Sequence, residues 1–260
     1  MSVLLSKLAG GQLTGFILVL ARVAPLFVVA PPFSSKLVPV RVRAIAAVAI
    51  SIGLTPVATH GQHIPNGALP LTGLILQGML TGFGFAFSIA VLFAAIESAG
   101  VFVDAITGFS LGSSIASSGS AAEGGPLTAL YSIVGTLIFL VIGGDAWTLR
   151  GIARTFQLVP LTSGPRLTSL VGGAEQVFST VFASALEIVA PVLLALLVAD
   201  VAFGVISRVV PQMNVFAVGF PTKIAVAVLL VVATLPFFAG WISEQLSLSE
   251  TAGLGALHAV

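Results

Sequence analysis

The chain has 260 residues, 57% of them hydrophobic and 7% charged, against about 25% charged in soluble proteins. So few charges cannot solvate a water-soluble surface of this size. A net charge of +1 provides no basic patch for nucleic acid, and the lack of cysteine excludes disulfides and thiolate metal ligands. The composition therefore predicts an all-α, multi-pass membrane protein with about six apolar helical segments.

In chain order, the first apolar run covers 13–33, with Arg22 and Pro25 inside it and Pro31-Pro32 ending it. Lys7 is a thin basic start, Arg22 interrupts the run, and no small-x-small cleavage site follows, so the segment reads as retained rather than as a signal peptide. Lys36, Pro39, Arg41 and Arg43 form the most basic stretch, followed by an apolar run over 44–57. Residues 58–70 are a loop without acid or base. His60-x-x-His63 lies there with no third ligand nearby, and His258 sits in the tail, so no metal site is expected. The run 71–102 is rich in glycine. Gly78-x-x-x-Gly82 has the spacing that lets helix backbones approach closely, although a glycine-rich run also produces it by chance.

The stretch 99–125 predicts a helix to about Thr107 and then a loop of small residues. Within it, Gly108-Phe109-Ser110-Leu111-Gly112 sets bulky apolar side chains between glycines that permit backbone movement. An apolar run follows over 127–142. Gly143-Gly144-Asp145 ends it, with Asp145 a candidate N-cap for the next helix. Arg150 and Arg154 would share a face of that helix, and 156–165 reads as a turn region. A long helical stretch over 172–208 carries Glu175, Glu187, Pro191 and Asp200. The last apolar run covers 224–242, before a weakly polar tail.

A plain six-span topology puts basic loops on both faces, Lys36, Arg41 and Arg43 on one side and Arg150, Arg154 and Arg166 on the other. The insertion balance is also poor. Residues 185–206 hold thirteen Leu, Ile, Val or Phe, worth roughly 4–8 kcal/mol, while Glu187 and Asp200 cost about 5–7 kcal/mol if central. The net is near zero, so this helix needs protein neighbours as well as lipid.

The one polar break between the two late apolar runs is Arg208-x-x-Pro211-Gln212-Met213-Asn214-Val215-Phe216-x-x-Gly219-Phe220-Pro221-x-Lys223. Proline geometry predicts that the preceding helix stops or kinks at Pro211 and that the next settles only at Pro221. The pattern resembles the C-terminal signature of the FliR family, flagellar export-apparatus proteins related to the SctT proteins of virulence type III secretion. Arg22, Pro25, Ala30, Pro31, Pro39, Arg41 and Arg43 resemble that family's N-terminal pattern, and Phe139-Leu140, Gly144 and 156–160 continue the match. The chain departs from the family at Ala116-Ser117-Ser118, where Asp-Pro is common.

The resemblance implies a single domain over 1–260. Its N-terminal helical part, 1–125, ends in the Gly/Ser-rich loop; helical hairpins occupy 126–242 and a polar tail 243–260. It implies long kinked hairpins that assemble with FliP-like and FliQ-like subunits into a helical export gate, much of it raised out of the bilayer, to which a FlhB-like protein binds. The location implied is the bacterial inner membrane at the flagellar basal body, and the cargo is unfolded export substrate. Residues 108–112 match a segment that resembles a plug loop in the pore. Arg22, Glu187, Asp200, Arg208, Gln212 and Asn214 are expected as buried or assembly contacts.

No nucleophile–base constellation suggests an enzyme, and no cofactor is expected. Glu97 and Asp104, two helical turns apart, could share a face for proton chemistry. The alternative function is a proton- or ion-coupled transporter, since ionisable residues in apolar spans are functional candidates. Asp200, Gly204 and Arg208 share a stripe, but eight residues span about 12 Å, too far for a direct Asp200–Arg208 pair. No transporter-type internal repeat is evident.

Overall fold

The computed structural model describes residues 2–35, 38–62, 64–65, 67–109, 124–165, 167–212 and 214–255. Among these, every regular element is helical: α1 Ser2–Val29, α2 Pro31–Ser34, α3 Val40–Thr59, α4 Ala68–Thr107, α5 Pro126–Val141, α6 Gly144–Leu158, α7 Leu167–Val209 and α8 Val215–Gly255. Five helices are long and apolar enough to cross a membrane, or six if the bent pair α5–α6 counts as one span.

The breaks follow local chemistry. Ala30 leaves the helical region, and α2 opens on Pro31-Pro32, whose missing N–H groups would have no partner in a first turn. Arg43 Nη1 donates to the Ser34 carbonyl at 3.0 Å, joining the end of α2 to the first turn of α3. Between α5 and α6 the chain bends by 69°. Gly143 makes the corner at φ 74°, ψ 29°, a left-handed conformation that suits glycine. Gly143, not Asp145, holds the N-cap position, and no side chain bonds there. Asp145 lies in the first turn, where its charge still favours the positive helix end.

Three boundaries differ from expectation. α6 continues to Leu158, because Phe156 is buried on its inner face. α8 starts at Val215 rather than beyond Pro221. Asn214 supplies the start, its carbonyl and side-chain oxygens both accepting from the Ala217 N–H. Pro221 then sits inside the helix, leaving the Ala217 carbonyl without its usual donor. The segment read as a weakly polar tail, 243–260, is helical to Gly255, with Gln245 and Leu246 buried along it.

The described chain packs as two compact units interleaved in sequence, 1–91 with 143–179 and 246–260, and 92–142 with 180–245. In the first, α1 packs against α3, and Leu18, Val19, Val23, Leu26, Phe85, Ile89 and Ile152 are buried. Here the Gly78-x-x-x-Gly82 spacing has a physical role. A Cβ on Gly82 would overlap the Arg22 carbonyl, and one on Gly78 would lie 3.5 Å from the Leu18 carbonyl. The two α4 glycines thus face two α1 residues that are also four apart, so the backbones touch along a full turn. In the second unit, Phe139 meets Phe93 edge-on with centroids 5.2 Å apart. Tyr131 meets Phe238 in the same manner at 6.0 Å.

Helix length sets the next constraint. At 1.5 Å per residue, α4, α7 and α8 run about 60–65 Å, twice the roughly 30 Å hydrocarbon core of a bilayer. The most apolar stretch of α4 is 61% buried, whereas those of α3, α7 and α8 are 17% buried.

Gly82 and Gly73 give a matched test of the close approach. A Gly82→Val side chain meets backbone that cannot yield, with an expected loss of about 1–3 kcal/mol or more. Gly73, where a Cβ meets nothing within 4 Å, should accept alanine with a gain of up to about 1 kcal/mol. Thermal denaturation of the purified variants in detergent reads the difference.

Candidate functional site

The first buried polar centre is Arg22, fully buried in α1. Its Nη1 donates to the Val159 carbonyl at 2.6 Å and to the Thr155 carbonyl at 3.1 Å. Its guanidinium carbon lies 4.6 Å from the centre of the Phe156 ring. The cation therefore closes the C-terminal end of α6, where unpaired carbonyls and the helix dipole concentrate negative charge. Its Nε has no partner among the described residues. In the same unit the Gln62 side-chain oxygen accepts from the Leu161 N–H at 2.9 Å. The stretch that follows α6 is thus held at two points.

The second centre stands at the base of the predicted plug segment. α5 opens on Gly125-Pro126, which has no side chain able to cap its own helix. The cap comes from Asp104, near the end of α4. Its carboxylate accepts from the Leu127 N–H at 3.1 Å, the Thr128 N–H at 2.8 Å and the Thr128 hydroxyl at 2.5 Å. Asp104 is 2% exposed, so these three donors must compensate the desolvation of its charge. A Cβ on Gly125 would overlap the carboxylate, which accounts for glycine at that position. Gly108 turns at φ 88°, and the Phe109 ring lies edge-on to Phe220, 5.6 Å away. Ser110, Leu111 and Gly112 lie outside the described residues. Glu97 is exposed and does not join Asp104.

The third centre lies between the α7–α8 hairpin and the end of α4. Asp200 Oδ1 pairs with Lys223 Nζ, with the carboxylate side chain 39% exposed and the ammonium side chain 20%. They line a crevice of about 660 Å³ together with Thr107, Gly204, Ser207 and Phe220. Asp200 thus finds its counter-ion inside the chain, across the 210–214 turn.

The remaining candidates divide by exposure. Glu187, Arg208 and Gln212 are exposed and have no side-chain partner among the described residues. Asn214 caps α8. Pro31 starts α2 and Pro39 precedes α3. Arg41 is exposed, whereas Arg43 bonds Ser34. Pro211 lies in the turn, Gly219 is buried, and Phe220 is 42% exposed.

Sequence reasoning set Asp104 beside Glu97 and missed its capping role. The available signal was a helix start, Gly125-Pro126, with no capping side chain of its own. It also measured Asp200 against Arg208 along one helix and missed Lys223, which only the hairpin brings close.

Capping by Asp104 leads to a measurable expectation. Asp104→Ala leaves buried N–H groups unpaired, at about 1–3 kcal/mol. Asp104→Asn keeps one acceptor oxygen and should lose less. Amide hydrogen exchange at the start of α5 reports the order Ala > Asn > wild type; equal exchange in all three contradicts the capping role.

The profile described as "Bacterial export proteins, family 1" matches residues 13–248. The chain is 26% identical over 220 residues to the flagellar biosynthetic protein FliR of Escherichia coli K12, covering 85% of this chain and 84% of that protein. It is 28% identical over 233 residues to FliR of Bacillus subtilis strain 168, covering 85% of each. It is also 26% identical over 215 residues to the surface presentation of antigens protein SpaR of Shigella flexneri, covering 81% of this chain and 80% of that protein.

Proposed function

Because the chain belongs to family 1 of the bacterial export proteins, we propose that it is a subunit of a flagellar type III export gate in the bacterial inner membrane. It is a multi-pass membrane protein of the export apparatus and not an enzyme. Its task in this reading is to help form and close the channel through which unfolded flagellar proteins cross. The observation that carries the reading is the mismatch between helix length and burial. α7 and α8 are about twice as long as a bilayer is thick, yet only 17% of the most apolar stretch of each is buried. Lipid can cover about half of such a helix; other subunits must cover the rest.

The partners proposed are FliP-like and FliQ-like subunits, with a FlhB-like protein on the assembled gate. The transporter alternative loses its main support, because Asp200 is paired within the chain and Arg22 serves as a helix cap. Co-expression with those partners should yield a stable complex, and the chain alone should aggregate or be degraded. Size-exclusion chromatography in mild detergent decides this, and a monodisperse, folded monomer would overturn the proposal.

Closure is assigned to Gly108, Phe109, Ser110, Leu111 and Gly112 as a plug. Hydrophobic constrictions exclude ions by dewetting, and Phe109 and Leu111 supply the bulk. Leu111→Ser should leave assembly intact and raise ion conductance in membranes containing the whole gate. Unchanged conductance across Gly108, Phe109 and Leu111 variants, with normal assembly, would make this segment a linker.

A further inference from the structure

We infer that Asp104 is a positioning residue for closure: its carboxylate fastens the two ends of the plug segment into a fixed base, and the segment opens by turning at Gly108 and Gly124 while that base stays shut. The inference rests on the proposed closure by residues 108–112 and separates the part of the chain that moves from the part that does not.

Three observations support it, all within the compact unit formed by 92–142 and 180–245. First, the carboxylate joins two places far apart in sequence. Asp104 stands in the last turn of α4 and accepts from the Leu127 N–H, the Thr128 N–H and the Thr128 hydroxyl, 23 and 24 residues further on. α5 has no side-chain cap of its own. Without the carboxylate, its first N–H groups would be left unpaired in apolar surroundings. The first turn would fray, and the segment would lose its second anchor. With the carboxylate in place, both ends are held at one separation, and the chain between them has fewer arrangements to sample.

Second, the base is packed without slack. Asp104, Leu127 and Thr128 are all buried. A Cβ on Gly125 would overlap the carboxylate, and a Cβ on Gly100 would overlap the Thr128 backbone. Gly100 and Asp104, one turn apart on α4, thus both meet Thr128, so the two helices touch backbone to backbone beside the clasp. Such a base opens only by parting α4 from α5.

Third, a left-handed glycine lies just inside the clasp on each side, Gly108 at φ 88° and Gly124 at φ 103°. Glycine adopts either sign of φ readily, so the backbone can turn at these two positions while both helices keep their places. Phe109, next after Gly108, meets Phe220 edge-on at 5.6 Å. Phe220 is partly exposed. A ring contact of that kind is weaker than a buried carboxylate with three donors, so it is the contact that opening breaks.

The test uses the full chain co-expressed with the export-gate subunits, and reads the ion conductance of the membranes and the secretion of a flagellar substrate. Asp104→Ala should raise conductance by roughly tenfold at equal yield of assembled gate. The chain has no cysteine, so Asp104→Cys with Thr128→Cys introduces a single disulfide in place of the hydrogen-bonded clasp. Reduced, this double variant should leak as Asp104→Ala does. Oxidised, it should be as tight as wild type and still secrete substrate. Both states come from one assembled preparation, so the comparison stands even where Asp104→Ala does not assemble. An oxidised gate that leaks overturns the inference, because the clasp then does not set closure. An oxidised gate that is tight but secretes nothing also overturns it, because the base itself must then open. So does a reduced gate as tight as wild type. Leu111→Ser separates the inference from its premise. If that variant conducts no more than wild type, closure by 108–112 fails and takes the Asp104 role with it. If it leaks while the reduced cysteine pair stays tight, the Asp104 role alone fails.

Discussion

Helix ends inside a chain this apolar must be closed by the protein itself, and the rest of this structure depends on that constraint. An unpaired backbone group in an apolar setting costs several kcal/mol. A hydrogen bond to a charged group returns roughly 1.5–3 kcal/mol. The chain has only ten basic and nine acidic residues, and several of them are used in this way. Arg22 closes the end of α6, Asp104 opens α5, and Arg43 joins α2 to α3. The neutral amides act likewise: Asn214 at the start of α8 and Gln62 on the Leu161 N–H. A fully buried arginine in a membrane protein invites a reading as a proton or ion site. Its two carbonyl partners and the Phe156 ring below it account for it without any transport role.

This explains what was legible in the sequence and what was not. The positions of the helices were legible because apolar runs bounded by Pro and Gly are local signals. The end of α4 at Thr107 and the corner at Gly143 follow from them directly. Capping partners were not legible, since Asp104 and Leu127 are 23 residues apart and Arg22 and Val159 are 137 apart. Sequence spacing therefore set Asp104 beside Glu97, its neighbour on the same helix, while the structure turns it towards α5. The same limit applies to Asp200, whose partner is fixed by a hairpin and not by helical periodicity. The Gly78–Gly82 spacing was ambiguous for a different reason. A glycine-rich run gives such pairs by chance, and only contact with the Leu18–Arg22 turn of α1 distinguishes the one in use.

The signature around the α7–α8 turn separates into two kinds of residue, and the division bears on function. Asn214 and Gly219 have tasks inside the chain, one as a cap and the other buried close to Phe203. Arg208 and Gln212 do not; both are exposed, without side-chain partners among the described residues. A turn needs neither a charge nor an amide pointing outward, and an apolar protein spends few of either. In the proposed gate, these two residues, exposed at one end of two helices too long for a bilayer, are the ones left for contacts with another chain. The low burial of α7 and α8 against the high burial of α4 leads to the same place. α4 is covered by its own chain, while α7 and α8 leave most of their apolar surface exposed, the surface that the proposed assembly would cover.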